Sequence, residues 1–74
     1  MSRLIPLKPT QIIRILHRLG FQKIRQEGSH IYLSHLDGRA AVVPMHKGED
    51  IGKGLIKKIL QDVEMTWDEF IKNR

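Results

Sequence analysis

The chain has no cysteine among its 74 residues. That excludes disulfide staples and thiolate metal sites and fits a reducing cytosol, so a cytoplasmic location is expected. Aromatic residues are scarce, with Phe21, Tyr32, Trp67 and Phe70 making up the whole set. A protein that stacks single-stranded bases on aromatic platforms normally shows more. No apolar run approaches membrane-spanning length, and the N-terminus lacks the basic-then-apolar pattern of a signal peptide. No membrane partner is therefore expected. There is no glycine-rich phosphate loop leading into Lys-Ser/Thr, no His-Glu-x-x-His, and no acid placed to make a Ser-His-Asp triad visible. His30 and His35 differ by an odd number on a strand and cannot converge on one metal ion. No metal or other cofactor is expected.

What is present is short and basic. Residues 1–74 are expected to form one small domain, too short for a deep cavity between lobes. A core of this size rarely gives more than ~3–5 kcal/mol of net stability, so binding a partner could matter to persistence. The net charge is +5. Residues 1–47 carry eight Lys/Arg (Arg3, Lys8, Arg14, Arg18, Lys23, Arg25, Arg39, Lys47) against Glu27 and Asp37, whereas residues 48–74 carry five against six acids. A basic part beside a near-neutral tail suggests a polyanion-binding face, with an ordinary solvated surface as the plainer reading.

Periodicity assigns the elements. Lys8-Pro9-Thr10 opens a helix with Pro9 at its first position, Ile12, Ile13, Leu16 and Leu19 form its buried stripe, and Gly20 caps it. Two alternating runs, Phe21 to Glu27 and Ile31 to Leu36, flank Gly28-Ser29, which reads as a two-residue hairpin loop. Asp37-Gly38 signals a second tight turn, and Pro44 suits a strand end. Asp50 is a candidate cap for a second helix, whose regular part is expected to begin nearer Lys53 because Gly52 and Gly54 weaken its first turn. Ile51, Leu55, Ile56, Ile59, Leu60 and Val63 form its stripe. Thr66-Trp67-Asp68-Glu69 is a capping box for a short last helix with Phe70 as a core contact.

The turns imply a register. Glu27 pairs with His30, Arg25 with Tyr32 and Lys23 with Ser34. The second turn pairs Ser34 with Ala41, Tyr32 with Val43 and His30 with Met45. One face then carries Ile24, Ile31, Leu33, Ala40 and Val42. The open face carries Lys23, Arg25, Glu27, His30, Tyr32, Ser34, Arg39, Ala41 and Val43. A one-residue slip reverses these faces. The expected fold is α+β, in the order α-β-β-β-α of double-stranded-RNA-binding domains, with a three-stranded antiparallel sheet covered by helices on one face and a short C-terminal helix added.

Leu19-Gly20-Phe21, then Gly28-Ser29-His30, then Pro44-Met45-His46, then Gly54-Leu55-Ile56-Lys57-Lys58-Ile59-Leu60 stand in order and approximate spacing. This set resembles the HicA (YcfA-like) toxins over about Lys8 to Leu60. The resemblance implies a small mRNA-cleaving toxin of a type II toxin–antitoxin system, neutralised by a HicB partner, with the Gly-Ser-His histidine, His30, as its catalytic residue. The chemistry of the residues agrees. RNA supplies its own nucleophile, the 2′-hydroxyl, and a metal-free ribonuclease needs a base, an acid and cations. Imidazole, with an ordinary pKa near ~6.5, serves as either acid or base. Lys23, Arg25 and Arg39 are candidate phosphate ligands on the open face, with Tyr32 beside them, and His46, Lys47, Lys53, Lys57 and Lys58 are candidate RNA contacts elsewhere.

Each candidate has a plainer reading. His46 is either the complementary acid or an anchor of the strand end through a backbone hydrogen bond, and the anchor is the simpler. Tyr32 can merely cover its cross-strand neighbour, the helix lysines can be solvated, and His35 reads as structural. Two other functions stay open: a non-catalytic RNA-binding module of the same fold, and an interaction-only protein whose open face docks a partner.

Overall fold

Pro9 and Gly20 bracket the first helix. In the computed structural model, which describes residues 3–74, α1 spans Pro9–Arg18. Pro9 takes the first helical position, where a missing N–H costs nothing, and the Lys8 N–H donates to Gln11 Oε1 at 2.9 Å. Gly20 is left-handed (φ +97°), and the Phe21 N–H reaches back to the Leu16 carbonyl at 2.9 Å, closing the C-terminal turn. Ile12, Ile15 and Leu16 are buried, while Ile13 and Leu19 pack at the margin.

Three strands follow, β1 (Gln22–Glu27), β2 (His30–Ser34) and β3 (Ala40–Pro44), forming an antiparallel sheet in the order β1-β2-β3. Gly28 has φ +58°, and Ser29 is not left-handed. Positive φ at the first central residue alone is the type II′ pattern that the Gly-Ser pair predicts. Glu27 faces His30 and Arg25 faces Tyr32, as expected.

Two departures from the expected register follow. The β1–β2 register shifts between Lys23 and Arg25, so Lys23 faces Leu33 rather than Ser34. Ile24, assigned to the core from its alternation, is 61 % exposed at that bulge. The second departure is larger. Asp37-Gly38 is not a two-residue turn but part of a loop over residues 35–39, with Leu36 at its exposed tip. The His35 N–H donates to the Arg39 carbonyl at 2.9 Å, and the Gly38 N–H to the His35 carbonyl at 2.9 Å. Asp37 Oδ1 accepts from the Arg39 N–H at 3.0 Å, and His35 Nδ1 accepts from the Asp37 N–H at 3.1 Å. These side chains satisfy the backbone of a longer loop. His30 therefore faces Pro44, Tyr32 faces Val42 and Ser34 faces Ala40. The faces of β3 are reversed from those expected: Ala41 and Val43 are buried, whereas Ala40 and Val42 stand on the open face.

The second helix, α2 (Lys53–Asp62), begins at Lys53 as expected, with Gly52 rather than Asp50 at its N-cap. Ile51 lies just before it in an antiparallel bridge to Leu7, whose N–H bonds the Ile51 carbonyl at 3.2 Å while the Ile51 N–H bonds the Leu7 carbonyl at 2.7 Å. Ile56, Ile59, Leu60 and Val63 join Ile31, Leu33, Ala41, Val43 and the α1 residues in one core with Phe21. Thr66 and Glu69 form the expected capping box of α3 (Trp67–Ile71): Thr66 N–H to Glu69 Oε1 at 3.0 Å and Glu69 N–H to Thr66 Oγ1 at 3.2 Å. Phe70 enters the core, and Arg18 of α1 donates to the Arg74 carbonyl at 2.9 Å. The order α-β-β-β-α with a sheet open on one face is the α+β layout of double-stranded-RNA-binding domains. Among the described residues no helix is long and apolar enough to cross a membrane.

Candidate active site

His30 is the first residue of β2, immediately after the Gly28-Ser29 turn. Its neighbour Ile31 points into the core, so His30 points to the open face and is exposed. Across the ladder stands Pro44, which has no N–H to give. The next residue supplies one: the Met45 N–H donates to the Ser29 carbonyl at 2.6 Å. That bond carries the pairing past the strand end and delivers His46 beside His30. His46 then begins a turn, its carbonyl accepting from the Glu49 N–H at 3.1 Å, with Gly48 at φ +79° in the position where a type II turn requires positive φ.

The two imidazoles stand with ring centroids 6.4 Å apart and planes at 80°. Among the described residues neither ring makes a hydrogen bond to protein; the hydrogen bond of His46 is made by its backbone carbonyl, to the Glu49 N–H. Both border a cleft of roughly 410 Å3 between the open side of β3 and the flank of α2. Val42, Pro44, Leu55 and Ile59 give it apolar walls, while Lys58 and Asp62 form a 3.1 Å ion pair at its rim. His46 also borders a smaller neighbouring cleft that includes Lys8 and Lys47.

The rest of the open face is less basic than the expected register makes it. Arg25 is on it, but it pairs with Glu27 at 2.9 Å and lies over the Tyr32 ring at 4.3 Å. Tyr32 is half-buried opposite Val42. Lys23, displaced by the bulge to the other face, donates to Gln26 Oε1 at 3.1 Å. Arg39 is not on the open face either. It lies in the loop at the far end of β2 from His30 and donates to Asp37 Oδ2 at 2.8 Å and to the Val63 carbonyl at 2.7 Å, with its guanidinium 5.2 Å from the Phe21 ring centre. This hydrogen-bonded guanidinium holds the Asp37 carboxyl below its ordinary 3.8, at about 2. Arg39 ties the loop to the end of α2. His35 is structural as expected, its ring 5.1 Å from that of Phe21 and packed against Gly20. Lys53 and Lys57 are exposed on α2 and do not line the cleft.

Asp62 and the apolar walls escape a reading of motifs alone. The signal for Asp62 was its place four residues after Lys58 on a helix, a spacing that brings the two side chains together. The walls became identifiable only with the true register of β3. Among the described residues no cluster of three or more His, Asp or Glu could hold a metal ion.

A search of curated protein sequences gave no match. A family model described as the HicA toxin of bacterial toxin–antitoxin systems matches residues 10–65, a span that contains α1 from Thr10 onward, the whole sheet, both histidines of the cleft and α2. The chain belongs to the HicA family of toxins.

Proposed function

We propose that this toxin is a cytoplasmic endoribonuclease that cleaves mRNA without a metal ion, with His30 as a catalytic residue, and that residues 1–74 act as one domain neutralised by a HicB-type antitoxin. The observation that carries the reading is the placement of His30: exposed, without a hydrogen bond from its ring to the described residues, and at the edge of a cleft within a chain of the HicA family. The 2′-hydroxyl beside the scissile phosphate loses its proton to a base and attacks phosphorus. The 5′-oxygen leaves with a proton from an acid. Imidazole performs either transfer near neutral pH.

The cations that hold the substrate are those facing this side of the molecule. Lys58 stands at the cleft rim and Lys47 follows His46, while Arg25 lies across the sheet with Tyr32 as a hydroxyl donor. Lys53 and Lys57 extend the basic surface along α2 beyond the cleft. Lys23 and Arg39 are left out of the substrate set because they face elsewhere. An antitoxin that covers His30 and the cleft blocks the reaction sterically.

The test is RNA cleavage in the presence of EDTA, comparing wild type with His30→Ala and analysing the ends of the products. The expected result is 2′,3′-cyclic phosphate ends from wild type and a loss of roughly 10²–10⁴-fold in the variant. Full activity in His30→Ala overturns the assignment. Equal RNA binding by both proteins with cleavage by neither supports the non-catalytic RNA-binding module instead.

A further inference from the structure

We infer that His46 is the second catalytic residue of the same site, so that His30 and His46 form an acid–base pair acting on the two oxygens of the scissile phosphate. The inference rests on the ribonuclease reading above and adds the group that completes its proton balance. Cleavage by the 2′-hydroxyl moves two protons. One leaves the 2′-oxygen as its bond to phosphorus forms, and one reaches the 5′-oxygen as its bond to phosphorus breaks. The products are a 2′,3′-cyclic phosphate and a 5′-hydroxyl, and an imidazole–imidazolium pair ends with its proton exchanged. A single side chain cannot reach both oxygens at once, because in an in-line displacement they lie on opposite sides of phosphorus.

The geometry fits a pair. Attacking and leaving oxygens stand about 3.5–4 Å apart, and each needs its own proton-transfer atom within about 2.6–3.2 Å. Two imidazoles serving them must therefore sit several ångströms apart with open space between and no competing partner. The His30 and His46 rings have centroids 6.4 Å apart, border the same cleft and make no hydrogen bond to described residues. The backbone sets this spacing through the Met45–Ser29 bond and the His46–Glu49 turn. Lys58, which lines the same cleft from α2, is a cation for the charge that develops on the phosphorane oxygens.

The experiment compares wild type, His30→Ala, His46→Ala and His46→Gln on two substrates. One is ordinary RNA, and the other has sulfur in place of the leaving 5′-oxygen, so that the leaving group departs as a thiolate and needs no acid. Binding of a substrate lacking the 2′-hydroxyl and thermal melting are measured alongside. On ordinary RNA both His46 variants should lose roughly 10²–10⁴-fold in cleavage, with binding and melting unchanged. On the sulfur substrate one of the two alanine variants should recover and the other should not, which identifies the acid. Wild-type cleavage by His46→Ala, or recovery of both variants or of neither, overturns the pair while leaving His30 in place. Failure of the wild type on both substrates overturns the ribonuclease reading itself and the pair with it.

Discussion

The Met45 N–H donates to the Ser29 carbonyl at 2.6 Å, and the residue after each is a histidine. The relative placement of His30 and His46 is thus a property of the main chain rather than of any bond between the rings. Pro44 cannot donate at the last position of β3, so Met45 is the first residue able to continue the pairing. A strand end built this way holds two exposed side chains at a fixed spacing, with neither ring hydrogen-bonded to the described residues.

Lys58 and Asp62 give the cleft a cation whose charge is partly countered. Lys58→Ala should weaken RNA binding and lower the slope of log affinity against log salt by about 1, as expected for one lost phosphate contact. Asp62→Asn should strengthen binding, because the lysine is released from its partner. Neither should change stability by more than ~0.5 kcal/mol, since the pair is exposed. Filter-binding titrations at several salt concentrations check this, and an unchanged slope in Lys58→Ala removes Lys58 from the interface.

Asp37 gives the β2–β3 loop an acid-sensitive contribution. Its carboxyl titrates at about 2 in the folded chain, against an ordinary 3.8, because Arg39 bonds the charged form. A depressed folded value means stability that is present above the unfolded value and is lost as pH falls from about 4 toward 2. Asp37→Asn keeps the oxygen that accepts the Arg39 N–H but removes the charge. Urea unfolding at pH 6 should show the variant less stable than wild type, and the difference should close near pH 2. A difference of equal size at both pH values means that the charge of Asp37 contributes nothing. Arg39→Ala should lower the melting temperature at neutral pH without reducing cleavage by the folded protein, because Arg39 binds the loop and α2 rather than substrate.

Element order, both caps of α1, the type II′ hairpin and the capping box of α3 were legible in the sequence, because each depends on one or two residues acting locally. The register of β3 was not. Ala40-Ala41-Val42-Val43 repeats the same residue on both faces, so alternation cannot say which pair is buried. That decision fell to the loop, where the side chains of His35 and Asp37 bond the backbone and overrule the Asp-Gly turn signal. The bulge at Ile24 was equally silent. At the site, the approach of His46 to His30 could be read from the strand ends. The cleft itself could not, since Val42, Pro44, Leu55 and Ile59 meet only across the tertiary fold.

The last helix, α3, outside the span that matches the family, contributes to the core through Phe70, which is 1 % exposed. Replacing a buried phenylalanine by alanine costs about 3–5 kcal/mol. That equals the whole net stability of about 3–5 kcal/mol expected for a core of this size. Phe70→Ala should therefore be largely unfolded, as should a chain ending at Met65, whereas Phe70→Leu should fold with a lowered melting point. Circular dichroism melts distinguish these, and a native-like melt for the shortened chain assigns the last helix no role in stability.

Glu64 is the single non-glycine residue with positive φ among the described residues, at +57°, just past the end of α2. The Met65 N–H reaches back to the Leu60 carbonyl at 3.0 Å and the Glu64 N–H to the Gln61 carbonyl at 3.2 Å, a helix ending that favours glycine at this position. A side chain held in the left-handed region costs about 1–2 kcal/mol, part of which glycine forfeits through the greater freedom of its unfolded chain. Because the charge of Glu64 also acts on Arg39, the informative comparison is between two variants that both lack it. Glu64→Gly should be more stable than Glu64→Ala by about 1 kcal/mol in urea unfolding, with the same RNA cleavage. Equal stability of the two means that the chain end of α2 relaxes out of the left-handed conformation when the glutamate is gone, and that the helix ending, rather than the residue, adapts.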